Sequence, residues 1–362
     1  MSAEDKIAAI ARRFQIPGEF REAAPYGSGH IHDTWSVLFD DKTGPSRAIL
    51  QRINGHIFTN PVALMENIGR VTAHLAEKVA GQADSARRVP TLIPARDGQA
   101  WHVDEAGSYW RSWRFIENAR SYDAVQSTAQ AFEAARAFGH FQNMLVDLPQ
   151  PRLHDILPDF HHTPKRFASF ERAVELDQVN RAHEARPEIE FAFARKPIVS
   201  GLIDANLPER VTHNDTKINN VLIDDETGEG ICVIDLDTVM PGLSLYDFGD
   251  MVRTTTCTAS EDERDLSKVN MQMDLFEALV RGYLDSAGDF LPSEEKRLLA
   301  FSARLITFEQ GIRFLTDYLA GDTYYKVNGD GQNLDRCRAQ FKLVESIERQ
   351  QDAMQRLVQS IC

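Results

Sequence analysis

Two short apolar runs, Val221-Leu222-Ile223 and Ile231-Cys232-Val233-Ile234, flank the segment Asp224-Asp225-Glu226-Thr227-Gly228-Glu229-Gly230. Partly β-branched runs separated by a turn-rich segment predict a hairpin. Asn220 enters its first strand and Asp235 leaves its second, so antiparallel pairing brings the two side by side. Just upstream lies His213-Asn214-Asp215-Thr216-Lys217, with Asp215 five residues before Asn220 and twenty before Asp235. Any fold this chain adopts must gather these polar residues at one end of the hairpin.

An amide oxygen beside a carboxylate suits Mg²⁺, which takes oxygen ligands, keeps several waters and accepts the remainder from phosphates. Asp215 is then the candidate to orient and deprotonate an attacking hydroxyl, orientation being its main task, since phosphoryl transfer depends chiefly on an acceptor held in line. Lys217 could offset charge developing on the transferred phosphate. Asp and Asn also favour turns for purely local reasons, and Asp215 and Asn220 taken alone fit that reading. Joined to Lys217, the hairpin and Asp235, they point to a kinase-type site. Asp237 stands open between a second metal ligand and a polar residue fixing the segment after the strand. Asp247-Phe248-Gly249 spells the metal-binding tripeptide of protein kinases but lies 32 residues after Asp215 and follows no hairpin strand. It is expected instead at the start of a helix, with Asp247 capping or bracing the loop around Asp215.

Further upstream, Glu19–Tyr26, Thr34–Phe39 and Arg47–Ile53 are candidate strands, Pro61 opens a helix through about Val79, and more β signal surrounds Trp101–Val103 and Ser108–Phe115. Beyond Glu117 helices dominate: Ala134, Phe138, Phe141 and Leu145 form a buried stripe, and a long helix is expected from about Leu334 to Val358. The predicted class is α+β in two lobes, residues 1–115 being a small, mostly antiparallel β lobe with a helix and 116–362 a larger, mainly helical lobe. The turn Pro25-Tyr26-Gly27-Ser28-Gly29-His30 sits between strands, where glycines let backbone approach phosphate; a plain hairpin turn is the alternative. A lysine for the nucleotide is expected on the third strand, yet Gln51 and Arg52 stand there. Glu66 either pairs with Arg52 or is a solvated helix charge.

At 362 residues with 43% hydrophobic and 26% charged residues, the composition is that of a globular protein. A formal charge of −14 argues against coating nucleic acid or anionic membrane. The polar start and the lack of a twenty-residue apolar run predict a soluble, cytoplasmic protein, monomeric or weakly self-associating, whose partner is a small molecule. Cys232, Cys257, Cys337 and Cys362 show no paired spacing that suggests zinc or disulfides.

The His213-x-Asp215-x-x-x-x-Asn220 and Ile234-Asp235-x-Asp237 signatures together resemble the aminoglycoside phosphotransferase and choline kinase superfamily, which implies a protein-kinase-like fold. Over nearly the whole length the chain is similar to the N-acetylhexosamine 1-kinase group, through Pro25–Ile31, Ile49-Leu50-Gln51, His162–Phe167, Val211–Lys217, Ile234–Thr238, Tyr246–Asp250 and Arg313–Asp322 in unbroken order. The resemblance implies transfer from ATP, with Mg²⁺, to the anomeric hydroxyl of N-acetylglucosamine or N-acetylgalactosamine. It implies Asp215 as base, Asn220 and Asp235 for magnesium, and His30, Arg313 and Tyr324 for the sugar. The full candidate set adds Lys217 as a catalytic residue, Asp215 itself against the sugar, Asp237 as the open third metal candidate, and Gly27, Ser28, Gly29, Gln51 and Glu117 for the nucleotide. Gln51 is what that group carries. Thr254 departs from it, where an aromatic residue near the sugar is expected. The alternatives are another kinase of the superfamily, of aminoglycoside, choline or homoserine type, or, on the missing lysine, a non-catalytic nucleotide-binding regulator.

Overall fold

In the computed structural model, residues 3–27, 31–42 and 44–362 are described. Helix α1 (Ala3–Ala11) precedes strands β1 (Glu19–Pro25), β2 (Asp33–Asp41) and β3 (Gly44–Arg52), then α2 (Pro61–Val79), the single-turn α3 (Ser85–Arg88), β4 (Leu92–Ile93), β5 (His102–Val103) and β6 (Tyr109–Arg114). These strands form an antiparallel sheet ordered β1-β2-β3-β6-β4, with β5 also on β6. Alternation decides which face is covered: Val37 and Phe39 on β2, and Ala48 and Leu50 on β3, point one way and are buried with Ile7, Ala11 and Phe14. Helix α2 starts where Asn60 accepts a cap bond from the Ala63 amide and Pro61 presets the first turn.

The rest of the chain is mainly helical: α4 (Thr128–Met144), α5 (Thr163–Leu176), α6 (Arg186–Ala194), α7 (Ser244–Thr255), α8 (Met273–Ala287), α9 (Ser293–Leu319) and α10 (Gln332–Ile361). Between them lie β7 (Ala119–Arg120), β8 (Arg210–Thr212), the hairpin β9 (Val221–Asp224) and β10 (Gly230–Val233), and β11 (Met240–Gly242). β7 pairs with β9, and β11 with β8. The chain is thus an antiparallel sheet lobe joined to a helical lobe. The apolar face of α2, including Leu64, Ile68, Val71 and Leu75, packs into the same core as the α4 stripe Ala134, Phe138, Phe141 and Leu145. Among the described residues no helix is long and apolar enough to cross a membrane.

The hairpin register sets the site. Val221 faces Val233 and Leu222 faces Cys232, so the Ile234 amide donates to the Asn220 carbonyl at 2.9 Å and Asp235 lies one residue beyond. The hairpin rests on α4, which packs on α8 so closely that a Cβ at Gly282 would stand 2.1 Å from the Phe132 carbonyl oxygen. Backbone cannot yield as a flexible side chain can, so Gly282→Ala is expected to destabilise the protein by about 1–3 kcal/mol, the usual cost of overpacking. Urea denaturation checks this; an unchanged midpoint would show that the helices separate freely.

Candidate active site

The loop between β8 and β9 carries His213 to Asn220, and its shape is dictated by α7. Asp247, fully buried in the first turn of α7, accepts the His213 amide at 2.9 Å on one oxygen and the Asn214 amide at 2.7 Å on the other. Gln142 of α4 donates to the same carboxylate and accepts from Tyr283 of α8. One turn on, Asp250 accepts the Thr216 amide at 2.9 Å and is paired with buried Arg253. Asn214 is held at φ 65°, in the left-handed region, by its own side chain donating to the carbonyls of Thr212 and Thr238. The Asp-Phe-Gly tripeptide therefore braces the loop.

Asp215 projects from this braced loop, a quarter exposed, with Lys217 Nζ 3.0 Å from its Oδ1. Burial would raise its carboxyl pKa, but Lys217, and behind it His213 and Arg253, hold it below the usual range. The Lys217 ammonium is correspondingly raised by Asp215. The Asn220 amide nitrogen donates to the Asp215 carbonyl at 2.8 Å, which turns its oxygen end outward. Asp235, at φ 60°, precedes a single turn of 3₁₀ helix. Burial, then Asp237 and Asp215, push its carboxyl well above the ordinary range. Carboxyl groups crowded in this way favour a divalent cation, whose charge would relieve them. Among the described residues no three histidine, cysteine or carboxylate side chains surround one point. Asn220 and Asp235 fit a magnesium ion that draws its remaining oxygens from water and phosphate.

Asp237 is otherwise engaged. Both its oxygens meet the guanidinium of Arg111 on β6, Oδ2 at 2.6 Å, and His32 Nε2 lies 2.8 Å from Oδ2. His32 Nδ1 accepts the Asn54 amide at 3.1 Å, so Nε2 carries the proton that points at Asp237. Arg111 Nε donates to Gln51 Oε1 at 2.9 Å, directly across the β3–β6 pairing, and Gln51 also accepts from Trp113 and donates to Thr34. A buried cation thus faces the position where a lysine was expected, one strand away from it. Arg52 pairs with Asp33 rather than Glu66, which pairs with His154.

Of the other residues singled out in the sequence, Gly27 has φ 81° with open space around it, while Ser28, Gly29 and His30 lie outside the described residues. Glu117, half exposed where the lobes join, pairs with Arg47, and its carbonyl accepts from Arg87. The hydroxyl of Thr254 back-bonds within α7 to the Asp250 carbonyl. Arg313 on α9 lies 4.8 Å over the Phe160 ring and 5.9 Å from that of Tyr325, whose ring abuts Tyr324 at 4.8 Å. Asp317 accepts the amides of Thr323, Tyr324 and Tyr325, fixing the turn that presents Tyr324 to solvent. Phe160 also stacks edge-on to His161, whose Nε2 donates to the Asn214 carbonyl at 3.1 Å while Nδ1 meets Glu309 at 2.8 Å. Arg313 and Tyr324 are therefore joined to Asp215 through one packed layer. Arg111, His32, His161 and Glu309 escaped the sequence reading because each is a lone polar residue whose partner is remote in sequence, and the role of Asp250 escaped it because the Thr216 amide that it accepts lies 34 residues away.

Asp247→Asn would set an amide N–H against the loop amides, and leaving such buried donors unsatisfied costs about 1–3 kcal/mol each. The expected result is a folded protein of lower urea midpoint in which activity falls at least as far as that of Asp215→Asn. Full activity would show that the loop holds its shape unaided.

The two-lobed arrangement, an antiparallel sheet followed by a helical body, is protein-kinase-like, and solved structures share it. The microcompartment-associated aminopropanol kinase is 17% identical over 97% of this chain and 98% of its own, with a TM-score of 0.60. Spectinomycin phosphotransferase, solved with ADP and spectinomycin, is 12% identical over 97% and 99%, with a TM-score of 0.55. Choline kinase from Cryptosporidium parvum Iowa II is 16% identical over 98% of each chain, with a TM-score of 0.56. At such identities the likeness is one of fold. The model of the phosphotransferase enzyme family (APH) matches residues 22–290, and the chain is a member of that family.

Proposed function

We propose that the protein is an ATP- and Mg²⁺-dependent small-molecule kinase that phosphorylates the anomeric hydroxyl of an N-acetylhexosamine, N-acetylglucosamine or N-acetylgalactosamine, to the sugar 1-phosphate. The observation that carries the phosphotransfer reading is the meeting of Asp215, Asn220 and Asp235 at one end of the hairpin, on a loop braced by Asp247 and Asp250. ADP in the related spectinomycin phosphotransferase supports a nucleotide as donor. In this reading Asp215 orients the sugar and takes the proton of its anomeric hydroxyl; the new bond joins that oxygen to the γ-phosphorus, the bond to the β-phosphate oxygen breaks, and ADP leaves. Lys217 steers Asp215 and offsets charge on the moving phosphoryl group. Asn220 and Asp235 would hold a magnesium ion, which would supply positive charge against the phosphates. Asp237 is assigned to bracing the lobes through Arg111 and His32, since its carboxylate is already engaged there. Gly27, Ser28, Gly29, Gln51 and Glu117 are assigned to the nucleotide side.

Sugar rather than amino alcohol is supported by charge. Choline- or aminoglycoside-type acceptors are cations and call for carboxylates or an aromatic cage. Here Arg313 and Tyr324, with His30 from the glycine turn, are the residues assigned to the acceptor, and a guanidinium fork suits ring and acetamido oxygens.

Sugars and amino alcohols offered with ATP and Mg²⁺ test this, with phosphorus NMR distinguishing a 1-phosphate from other esters. Formation of anomeric phosphate from N-acetylhexosamines is expected; exclusive turnover of amino alcohols would contradict it. Lys217→Met should move the acidic limb of the pH–activity profile upward. The sign follows from the pair: Lys217 depresses Asp215, so without it the base protonates at higher pH as the medium is acidified. An unmoved limb would mean that Asp215 is not the titrating base.

A further inference from the structure

Two arginines meet at Phe160. Arg313 of α9 lies 4.8 Å above its ring, and Arg166 of α5 donates from Nε and Nη2 to its carbonyl oxygen at 3.1 and 3.0 Å. Elsewhere in the helical lobe, several partly buried arginines close on carboxylates, Arg181 on Asp322, Arg195 on Glu348, Arg210 on Glu295 and Arg253 on Asp250, while Arg304 lies over the Phe301 ring with no ion pair among the described residues. Among the described residues neither Arg166 nor Arg313 has a carboxylate within ion-pair distance; apart from the Phe160 carbonyl, the hydrogen-bond partner is Gln310, which accepts from Arg313 at 3.1 Å. The two repel each other, and Arg166 is lowered by burial and then by Arg313.

The acid that both feel is Glu309, but its oxygens are taken, Oε1 by His161 at 2.8 Å and Oε2 by the Thr163 hydroxyl at 2.6 Å. Glu261, which is felt by the neighbouring Tyr325, accepts from Arg253 at 3.2 Å. Nη1 of Arg166 and Nε and Nη2 of Arg313 keep donors uncommitted. Like charges gathered in a partly buried place where the nearby acid is already engaged are costly, and a carboxylate accepting from both would relieve them.

We propose that Arg166 and Arg313 form a carboxylate-binding subsite of the acceptor pocket, so that the preferred acceptor is an N-acylated hexosamine bearing a carboxylate away from its anomeric carbon. This rests on the sugar-kinase reading and deepens it: Arg313 and Tyr324 hold the sugar, and the second guanidinium selects the acid. The anomeric end faces Asp215 while the acid end lies over Phe160, whose neighbour His161 supports the loop before Asp215. Protonated amines are disfavoured by the same charges.

The test compares kcat/KM, with ATP and Mg²⁺, for N-acetylglucosamine, its 3-O-carboxyethyl ether, the corresponding uronic acid and glucosamine. At least one of the two acids should exceed the neutral sugar by roughly tenfold or more, the scale of one charge-assisted contact, and glucosamine should be poorest. The acid-to-neutral ratio, taken within one variant so that partial unfolding cancels, should fall towards one in both Arg166→Gln and Arg313→Gln, mainly through KM for the acid, and recover partly in Arg166→Lys. Turnover of N-acetylglucosamine with no preference for either acid, or a ratio unmoved by both substitutions, would overturn the subsite and leave the sugar-kinase reading standing. Failure to phosphorylate any of these sugars would overturn that reading and the subsite with it.

Discussion

The buried carboxylate of Asp247 is the contact on which the arrangement of this protein turns. Two consecutive amides of the loop before Asp215 point at it, and a loop in that conformation has no strand partner to take them. Burial pushes its pKa up, and the two amides, His213 and Gln142 act against that shift. Because Gln142 belongs to α4 and Tyr283 behind it to α8, the tightly packed pair of α4 and α8 is wired directly to the loop. Packing of the helical core thereby becomes precision in the position of Asp215. A helix that looks, by its tripeptide, like a metal site serves instead as the bed on which the site lies.

The second organising feature is a separation of charge between the two sides of the site. On the hairpin side three carboxyl groups, Asp215, Asp235 and Asp237, lie within electrostatic reach of one another; Asp215 is paired with Lys217 and Asp237 with the buried Arg111, while Asp235 feels Arg111 only at a distance and stays pushed up. Around Phe160, on the proposed acceptor side, the imbalance reverses: among the described residues Arg166 and Arg313 make no ion pair, and Glu309, the acid both feel, is engaged by His161 and Thr163. A metal–nucleotide complex suits the first surplus and an anionic or oxygen-rich acceptor the second. In the proposed function, a chain of charge −14 would meet phosphate through cations placed locally, Lys217 among them.

Much of this was legible in the sequence where the determinants are local. The helix over Pro61–Val79 follows from a cap, a proline and a regular apolar face, all within one segment. The hairpin and the adjacency of Asn220 to Asp235 follow from two apolar runs and one turn. The brace at Asp247 was readable because the tripeptide stands too far from Asp215 to be the metal site. What was not legible depends on partners that no spacing announces: Arg111 lies 126 residues from Asp237, and His161 lies 148 from Glu309. The alternatives open for Asp237 could not be narrowed until its arginine was known. Arg166 sits in an ordinary amphipathic helix and looks like a surface charge until Arg313 is found beside it.

Asp235 and Asp237 are two residues apart and chemically identical, yet we propose Asp235 for the metal and Asp237 for the brace on Arg111 and His32, and manganese can tell them apart. Electron paramagnetic resonance of Mn²⁺ with ADP should show tight ternary binding in the wild-type protein, loss of that signal in Asp235→Asn, and its retention in Asp237→Asn, measured at low temperature with the fold checked by circular dichroism. Binding that survives Asp235→Asn but vanishes in a folded Asp237→Asn would contradict the account at its centre.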